Sequence, residues 1–319
     1  MSQCIIGCDI GGTAVKAALV NKNGSIVRSA EIPSLHKRGH EGFVKSVCDL
    51  VMRLAQGRSP DAVGLGIAGM LDPGRTKLVN SPNMPLLNGI PLKQMLEQQL
   101  KCSVYIENDA NAAALGELHA GAGRTHSQFL FFTLGTGIGS GLILNKRLWI
   151  GEVGKAGEFG HVTVYPEGEL CGCGRRGCLE AHASGTAIVR MARDAALRDE
   201  QSSLYAYQKR IAEITPELVY RLAGAGDEAS RTVFSSMSRA LAIAISGVNN
   251  LLDIHTFIVG GGISRAYDLF YPLVMDELDQ MVFGLSRGRI NLLRAQLGND
   301  AGVSGAAWAA REALSGNRP

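Results

Sequence analysis

In the first part of the chain, some segments have hydrophobic residues at the spacing of a strand and others at the spacing of a helix. Cys4 to Asn21 predicts a strand, a glycine turn and a second strand, and the segment SIVRSAEI predicts a third strand. Phe43 to Gln56 has apolar residues at helical spacing, and Ala62 to Ile67 is a short apolar run typical of a buried strand. Strands that alternate with helices in this way favour an α/β sheet.

A long segment rich in Pro, Gly and Asn follows, from Asp72 to Leu92. Loops of this length inside compact domains often carry function, so we expect a binding segment here. Val104 to Glu107 then predicts a strand, and either Asn108 or Asp109 can cap the alanine-rich helix after it.

The segment from Phe129 to Asn145 repeats the opening pattern. The blocks Asp9 to Asn21 and Thr133 to Asn145 each have a polar first residue, a glycine-rich turn, an apolar strand and a closing Asn. Two such hairpins could hold one phosphate chain between their open turns. The rest of the sequence predicts helices and one buried strand, over Ser184 to Ala223, Arg231 to Leu252, Thr256 to Val259 (the strand), Tyr267 to Gln280 and Ser304 to Leu314.

Composition narrows the class of protein. The 319 residues include 32 Lys+Arg and 29 Asp+Glu, which gives a formal net charge of +3, and 46% are hydrophobic. That apolar content fills a core of about two domains, whereas the charge is too small for a nucleic-acid surface. We recognise no secretory signal, and glycines interrupt the charge-free stretch from His126 to Asn145, so we expect a cytoplasmic protein with no membrane partner.

Glycine-rich turns after apolar strands are the candidate phosphate-binding sites. The sequence has no P-loop motif, and GLGIAG at 64–69 precedes a turn rather than the helix that a dinucleotide site requires. Backbone N–H groups in an open glycine turn can approach a phosphate closely, and a neighbouring Asp can hold hydrated Mg²⁺, although an ordinary hairpin is the alternative. The candidates are Asp9, Gly11, Gly12, Thr13, Lys16, Gly135, Thr136, Gly137, Gly260, Gly261 and Gly262.

Asp109 has two possible roles. An Asp at a helix start is often only an N-cap. A carboxylate in a cleft can also act as a general base and accept the proton of a substrate hydroxyl as its oxygen attacks phosphorus. The two roles can coexist.

A Cys₃His set suits tetrahedral Zn²⁺, and because it leaves no open coordination position, the metal should be structural. Its members are His161, Cys171, Cys173 and Cys178. Such a loop would fix the neighbouring acids Glu158 and Glu180 toward a ligand, although surface solvation is the alternative for these two.

Together these segments resemble the ROK family, a bacterial group of sugar kinases, sugar-sensing repressors and uncharacterised open reading frames within the actin/hexokinase-like ATPase superfamily. The similar segments are DIGGT at 9–13, END at 107–109, LGTGIGSG at 134–141, EFGH at 158–161, CGCGRRGCLE at 171–180 and VGGGIS at 259–264. The resemblance implies an α/β fold of two actin-like (ribonuclease H-like) domains around a central cleft. It places a small domain at 1–118, rejoined by 301–319, and a large domain with the zinc loop and adenosine site at 119–300.

The resemblance also implies an activity, the ATP- and Mg²⁺-dependent phosphorylation of a neutral hexose, normally at the 6-hydroxyl, with Asp109 as the general base. It implies a homodimer or homotetramer. The residues that it assigns to the sugar are Asn83, Asn108, Asp109, Glu158, His161 and Glu180. Carboxylates and amides suit a neutral polyol, whereas an acidic substrate would favour an Arg clamp.

The identity of the sugar stays open. After Asn83-Met84-Pro85, family glucokinases often carry Gly-Trp, whereas this chain has Leu86-Leu87. The candidates are therefore glucose or a related aldohexose such as allose, and, as the alternative, N-acetylmannosamine or N-acetylglucosamine. A non-catalytic ROK sugar-binding regulator is the alternative from another class. A ROK repressor carries a winged helix-turn-helix before its first phosphate loop, and since that loop begins at residue 9 we expect no DNA-binding domain.

Overall fold

The computed structural model describes residues 3–316, in which strands and helices alternate as the sequence predicts. The strands are β1 (Ile5–Ile10), β2 (Ala14–Val20), β3 (Ile26–Pro33), β4 (Ala62–Ile67), β5 (Met70–Leu71), β6 (Leu78–Asn80), β7 (Ser103–Asn108), β8 (Phe129–Leu134), β9 (Ile138–Leu144), β10 (Arg147–Trp149), β11 (Thr256–Gly260) and β12 (Asn291–Arg294). The α-helices are α1 (His40–Ala55), α2 (Leu92–Leu100), α3 (Asp109–Ala120), α4 (Leu179–Ala183), α5 (Gly185–Arg198), α6 (Pro216–Gly224), α7 (Glu228–Leu252), α8 (Tyr267–Met281) and α9 (Ala301–Leu314).

The chain divides into two compact units. The first comprises the described residues of Met1–Phe131, Gly141–Gly157 and Ala295–Pro319, and the second comprises Phe132–Ser140 and Glu158–Arg294. The division at residue 118 stays a prediction, and residues 1, 2 and 317–319 of the predicted small domain lie outside the described residues.

The first unit contains a five-stranded sheet with the order β3-β2-β1-β4-β7. β1 pairs antiparallel with β2 and parallel with β4, and β4 pairs parallel with β7. Alternate residues of β1 enter two different cores, because side chains of a strand point to opposite faces in turn. Ile6 and Cys8 pack with α1 residues such as Val47, whereas Ile5 packs with Val303 and Ala307 of α9.

Helix α9 packs unusually close to this sheet and to α3. A Cβ added at Gly305 would lie 1.5 Å from the Ala112 carbonyl oxygen, and one at Gly64 would lie 1.8 Å from the Ala306 carbonyl oxygen. No larger residue fits at either position without moving backbone. The close approach joins the C-terminal helix to the elements that carry the candidate site.

Helix α7 lies at the centre of the second unit and contacts α4, α5, α6 and α8. It begins at Glu228, three residues earlier than the sequence predicts, because the Asp227 side chain accepts a hydrogen bond from the Ser230 N–H and caps it. The predicted cap at Thr215, before Pro216, is confirmed.

The second sheet has the order β10-β9-β8-β11-β12. Two of its strands, β10 and β12, were not predicted, and the loop expected over 72–92 contains β6. These strands have only three or four residues, too few for a hydrophobic period to appear. Among residues 3–316, none of the helices combines the length and the apolar character that crossing a membrane requires.

Candidate functional site

The carboxyl ends of three parallel strands bring two acidic residues of the first unit together. Asp9 of β1 lies in register with Gly66 of β4, and Gly66 lies in register with Glu107 of β7. A Cβ at Gly66 would be 3.7 Å from the Asp109 Cα. The backbone of Gly66, which carries no side chain, therefore lies between the segment of Asp9 and the segment of Asp109. Ligands of open α/β sheets bind at such strand ends.

Asn108 caps α3, and Asp109 is the first helical residue. The Asn108 Oδ1 accepts hydrogen bonds from the backbone N–H groups of Ala110 (3.0 Å) and Asn111 (3.1 Å), and its Nδ2 donates to the Gly69 carbonyl (3.2 Å). Because Asn108 provides the cap, the helix does not need the Asp109 carboxylate for capping. The Asp109 carboxylate accepts a hydrogen bond from the adjacent Ala110 N–H (3.0 Å). The sequence left the capping residue open, and the structure assigns that role to Asn108.

The carboxylates of Asp9 and Asp109 both have raised pKa values. Burial and the negative charge of Asp109 raise the pKa of Asp9 from 3.8 to about 6, and Lys16 opposes this only partly. Burial also raises the pKa of Asp109, against hydrogen bonds from Ala110, its own backbone and Asn108. A carboxylate with a raised pKa is a stronger base at neutral pH than an exposed one.

The first glycine turn lies beside this pair. A Cβ at Gly12 would be 3.2 Å from the Asn83 Cβ, so the turn and Asn83 are neighbours, as their predicted roles require. The Lys16 ammonium forms an ion pair with Asp300 and donates to the Asn299 carbonyl (3.2 Å). Its predicted role in ATP binding stays a prediction, and the ion pair with Asp300 is a contact that no local pattern could reveal.

The predicted zinc ligands of the second unit converge. The ligand atoms of His161, Cys171, Cys173 and Cys178 all lie within 4.8 Å of one another. The sulfurs of Cys173 and Cys178 are 3.6 Å apart, and Cys171 Sγ is 3.8 Å from His161 Nδ1. Zinc–sulfur bonds of about 2.3 Å in a tetrahedron separate the sulfurs by about 3.8 Å. The four side chains therefore fit one Zn²⁺ ion.

Two of these thiols have opposite pKa shifts. A hydrogen bond from the Arg175 backbone lowers the pKa of the Cys173 thiol to about 6, whereas burial raises that of Cys171 to about 12. A metal ion displaces the proton of such a buried thiol when it binds. Since Nδ1 of His161 faces the sulfurs, the ring presents its Nε2 elsewhere.

Glu180 connects the zinc loop to the second glycine turn. Its Oε2 accepts a hydrogen bond from the Ile138 N–H (2.9 Å), and its Oε1 lies 3.7 Å from Cys171 Sγ. A Cβ at Gly137 would be 2.4 Å from Glu180 Oε2, so a larger residue there would displace the Glu180 carboxylate. Glu158, in contrast, is exposed.

A cavity of about 700 Å³ in the second unit begins at the same turn. The predicted residues Gly135, Thr136 and Gly262 line it, while Gly260 and Gly261 do not. Gly261 has a left-handed φ of 82° and lies against the backbone of Leu134, where a Cβ would be 2.4 Å from the carbonyl oxygen.

Sequence reasoning missed most of the remaining cavity wall, which comes from α5 and α6. These residues are Gly185, Thr186, Val189, Arg190, Arg193, Asp194, Pro216 and Glu217, while Ile263 belongs to the predicted VGGGIS segment at 259–264. One signal for this wall was available in the sequence. Ser184 follows shortly after the zinc loop and caps α5, and that helix starts beside the second glycine turn. Thr186 Oγ1 donates to the Thr136 carbonyl (2.8 Å), and the Gly185 N–H donates to the Gly135 carbonyl (2.7 Å).

Comparison with known proteins covers nearly the whole chain. The model of the ROK family matches residues 5–313. A glucokinase of Thermotoga maritima is 33% identical over 312 residues, 98% of either chain. A ROK family glucokinase from Streptomyces griseus, solved in complex with glucose and AMPPNP, is 36% identical with a TM-score of 0.81 over 97% of this chain and 99% of its own. An N-acetylmannosamine kinase of Yersinia pseudotuberculosis is 29% identical over 309 residues, 97% of this chain and 99% of that one. The predicted two-domain actin-like α/β fold is confirmed by the likeness to the solved structure.

Proposed function

The chain belongs to the ROK family, as its six motifs predicted, and from this premise we propose that it transfers the γ-phosphoryl group of ATP to the 6-hydroxyl of a neutral hexose. Two kinds of evidence support the proposal. The relatives with 33–36% identity over nearly their full length are glucokinases, one of them bound to glucose and an ATP analogue. The arrangement of acidic residues in the first unit supplies the chemistry.

One observation carries the proposal, the half-buried carboxylate of Asp109 at the start of α3, beside Asp9. In our mechanism Asp109 accepts the proton of the sugar hydroxyl while the oxygen forms a bond to the γ-phosphorus. The bond from that phosphorus to the oxygen that bridges to the β-phosphorus breaks, and ADP leaves with the electron pair. Asn83 lies beside the first glycine turn and Asn108 directly precedes Asp109, and we assign both to the hexose. The roles of Glu158, His161 and Glu180 in sugar binding stay predictions from the family resemblance.

We assign the adenosine part of ATP to the 700 Å³ cavity. Its volume is within the range of small-molecule sites, and its mouth is formed by Gly135 and Thr136, whose backbone suits a phosphate. Mg²⁺ bound with ATP would neutralise phosphate charge, and Asp9 is the carboxylate of this chain that would hold its hydration shell. The three residues Gly11, Gly12 and Thr13 supply the open turn next to Asp9.

A structural Zn²⁺ ion is the second metal that we propose. The Cys₃His set fits it, and the segment that carries the ligands has only a short 3₁₀ turn and isolated bridges as regular structure. Four protein ligands leave no position for substrate. The ion would therefore fix the loop and the His161 ring without taking part in the phosphoryl transfer.

A coupled assay of ADP release tests the function. We would supply glucose, mannose, allose, fructose, N-acetylmannosamine and N-acetylglucosamine in turn, each with ATP and Mg²⁺. We expect turnover with at least one neutral aldohexose and no turnover with a sugar acid of the same size. Release of ADP with N-acetylmannosamine alone would favour the second candidate, which the 29% identical kinase supports. Sugar binding without any ADP release would leave the non-catalytic regulator.

Two finer statements belong to the same proposal. We place the protein in the cytoplasm, where ATP is available and the seven cysteines, all free, remain reduced. A homodimer or homotetramer stays a prediction, which sedimentation analysis would test.

A further inference from the structure

A buried carboxylate that the proposed reaction does not use lies two residues before the proposed base. Glu107 is 3% exposed, at the end of β7. Its Oε1 accepts hydrogen bonds from the Asn108 N–H (2.9 Å) and from Asn111 Nδ2 (2.9 Å), and it forms an ion pair with Arg75. Every one of these contacts is made by a residue that flanks Asp109 or by this single cation.

Arg75 reaches Glu107 from a strongly constrained turn. Its φ of 53° lies in the left-handed region, which residues other than glycine rarely adopt. The Asp72 carboxylate maintains this turn, because it accepts hydrogen bonds from the Thr76 N–H (2.6 Å), the Thr76 hydroxyl (2.9 Å) and the Lys77 N–H (2.9 Å). The turn belongs to the 72–92 segment, in which the sequence predicted a binding function.

The ion pair with Arg75 holds the Glu107 carboxylate in place. A buried charged group needs a partner of opposite charge and hydrogen bonds, and Arg75, Asn108 and Asn111 supply them. Because the Glu107 carboxylate accepts the hydrogen bond from Asn111 Nδ2, the Asn111 amide is held with Nδ2 toward Glu107 and Oδ1 away from it. That Oδ1 is buried and has no hydrogen-bond partner within residues 3–316.

A second buried acid, Glu117 of α3, provides the contrast. Glu117 is 0% exposed, and its carboxylate accepts hydrogen bonds from the backbone N–H groups of Ala122, Gln296 and Leu297. Backbone amides satisfy that carboxylate, and no Arg or Lys is recorded as its ion-pair partner among the described residues. Burial of an acid in α3 or at its start therefore does not by itself explain why Glu107 has an arginine.

We propose that Arg75 and Glu107 are a positioning pair for Asp109, in which the arginine holds the Glu107 carboxylate in place and Glu107 holds the first turn of α3 in the geometry that proton transfer needs. The proposal rests on the proposed function, since it concerns the base of that reaction. Misplacing a base by a fraction of an ångström lowers the rate of the chemical step more than the affinity for either substrate.

The test is a cycle of variants assayed for kcat, KM for ATP and KM for the best hexose, together with thermal unfolding. We expect Arg75→Met to lower kcat by about 10- to 100-fold, the range seen when a partner of a site residue is removed, with both KM values within about threefold of wild type. Arg75→Lys should recover part of the loss. The double variant Arg75→Met/Glu107→Gln should have a higher kcat than Arg75→Met alone, because it removes the unpaired charge.

Glu117→Gln is the matched control, a buried acid of α3 outside the proposed site. We expect it to lower the unfolding temperature and to leave kcat within about twofold of wild type. The proposal is overturned if Arg75→Met keeps wild-type kcat, or if the effects of the two substitutions on kcat are simply additive in the double variant. It is also overturned if the loss of kcat follows the loss of unfolding temperature in every variant, Glu117→Gln included.

Failure of this inference differs from failure of the proposed function. A wild-type protein that turns over a hexose, combined with a fully active Arg75→Met variant, removes the positioning role alone. A wild-type protein that releases no ADP with any hexose removes both. If Arg75→Met does not fold, the double variant decides, since it lacks the buried unpaired carboxylate.

Discussion

Asp109 in the first unit and His161 in the second are held in place by different means. Asp109 begins a helix that Asn108 caps, that follows a buried strand and that packs tightly against α9. His161 belongs to a segment with one short 3₁₀ turn, where three cysteines surround its Nδ1. Regular structure and packing position the proposed base, whereas we propose that Zn²⁺ coordination holds the cysteine-rich loop in shape.

Both regions place like charges close together. Burial and, in addition, the charge of Asp109 raise the pKa of Asp9 to about 6, so the site without ligand contains repulsion. In the zinc loop, three thiolates would repel each other in the same way until a divalent cation neutralised them. Four predictions examine this contrast, ordered by the size of the expected effect.

The largest effect should follow removal of the proposed base. We expect Asp109→Ala to lower kcat by about 10²- to 10⁴-fold, because the attacking hydroxyl loses its proton acceptor. Calorimetric titration should show that ATP and hexose still bind with affinities within a few-fold of wild type, since regular structure holds the rest of the site. Wild-type turnover by this variant would remove Asp109 as the base.

Removal of one zinc ligand should act on binding rather than on chemistry. We expect Cys173→Ser to lose stoichiometric zinc in metal analysis and to weaken hexose affinity by about 10- to 100-fold, because the loop loses its cross-link. Cys102→Ser is the matched control, since Cys102 is a free cysteine outside the cluster. A Cys173→Ser protein with full zinc content and normal hexose affinity would contradict the role of the loop.

Charge repulsion at Asp9 should appear as a pH-dependent instability of the ligand-free protein. Burial and Asp109 raise its folded-state pKa from 3.8 to about 6, so the folded protein binds this proton more tightly than the unfolded chain does. The ionised side chain therefore costs stability above about pH 6, and the cost disappears as the pH falls below about 4. We expect Asp9→Asn to raise the free energy of unfolding by about 1–3 kcal/mol at pH 8 without Mg²⁺ and to change little at pH 4, measured by urea titration. An equal change in the free energy of unfolding at both pH values would show that ionisation of Asp9 does not cause the instability.

The smallest effect should come from an acid that caps a helix outside the proposed site. Asp227 caps α7 and also accepts hydrogen bonds from the Ser203 N–H (2.6 Å) and the Ser202 hydroxyl (2.9 Å). We expect Asp227→Ala to lower the free energy of unfolding by about 1–2 kcal/mol in urea titration, with kcat within about twofold of wild type. A loss of kcat as large as that of Asp109→Ala would mean that a loss of stability alone abolishes turnover, and the Asp109→Ala result would then not identify a base.

Local chemistry determined what the sequence could predict. The glycine turns, the zinc ligands and the helix that Asn108 and Asp109 begin are each written in fewer than about twenty consecutive residues. Most strands and helices were predicted for the same reason, because a hydrophobic period needs only one segment of chain. The start of α7 was missed by three residues, since its cap at Asp227 outweighs the apolar pattern.

Contacts between distant segments could not be predicted. The ion pair of Lys16 with Asp300 joins residues 284 positions apart, and the pair of Arg75 with Glu107 depends on a left-handed turn that no pattern at Arg75 suggests. The part of the cavity wall that α5 forms was not predicted. Thr186 and Asp194 belong to a segment whose sequence pattern is that of an ordinary amphipathic helix. Such contacts appear only when the sheet order and the helix packing are known.

Helix α9 has a consequence for how the protein is made. It covers one face of the sheet that begins at Ile5, and Gly305 and Gly64 permit a contact that no substitute segment with larger residues could form. A ribosome synthesises this helix some 290 residues after the first strand has emerged. The sheet therefore has Ile5, Val20 and Ala62 uncovered until α9 has been made, and the nascent chain is most open to misassociation during that interval.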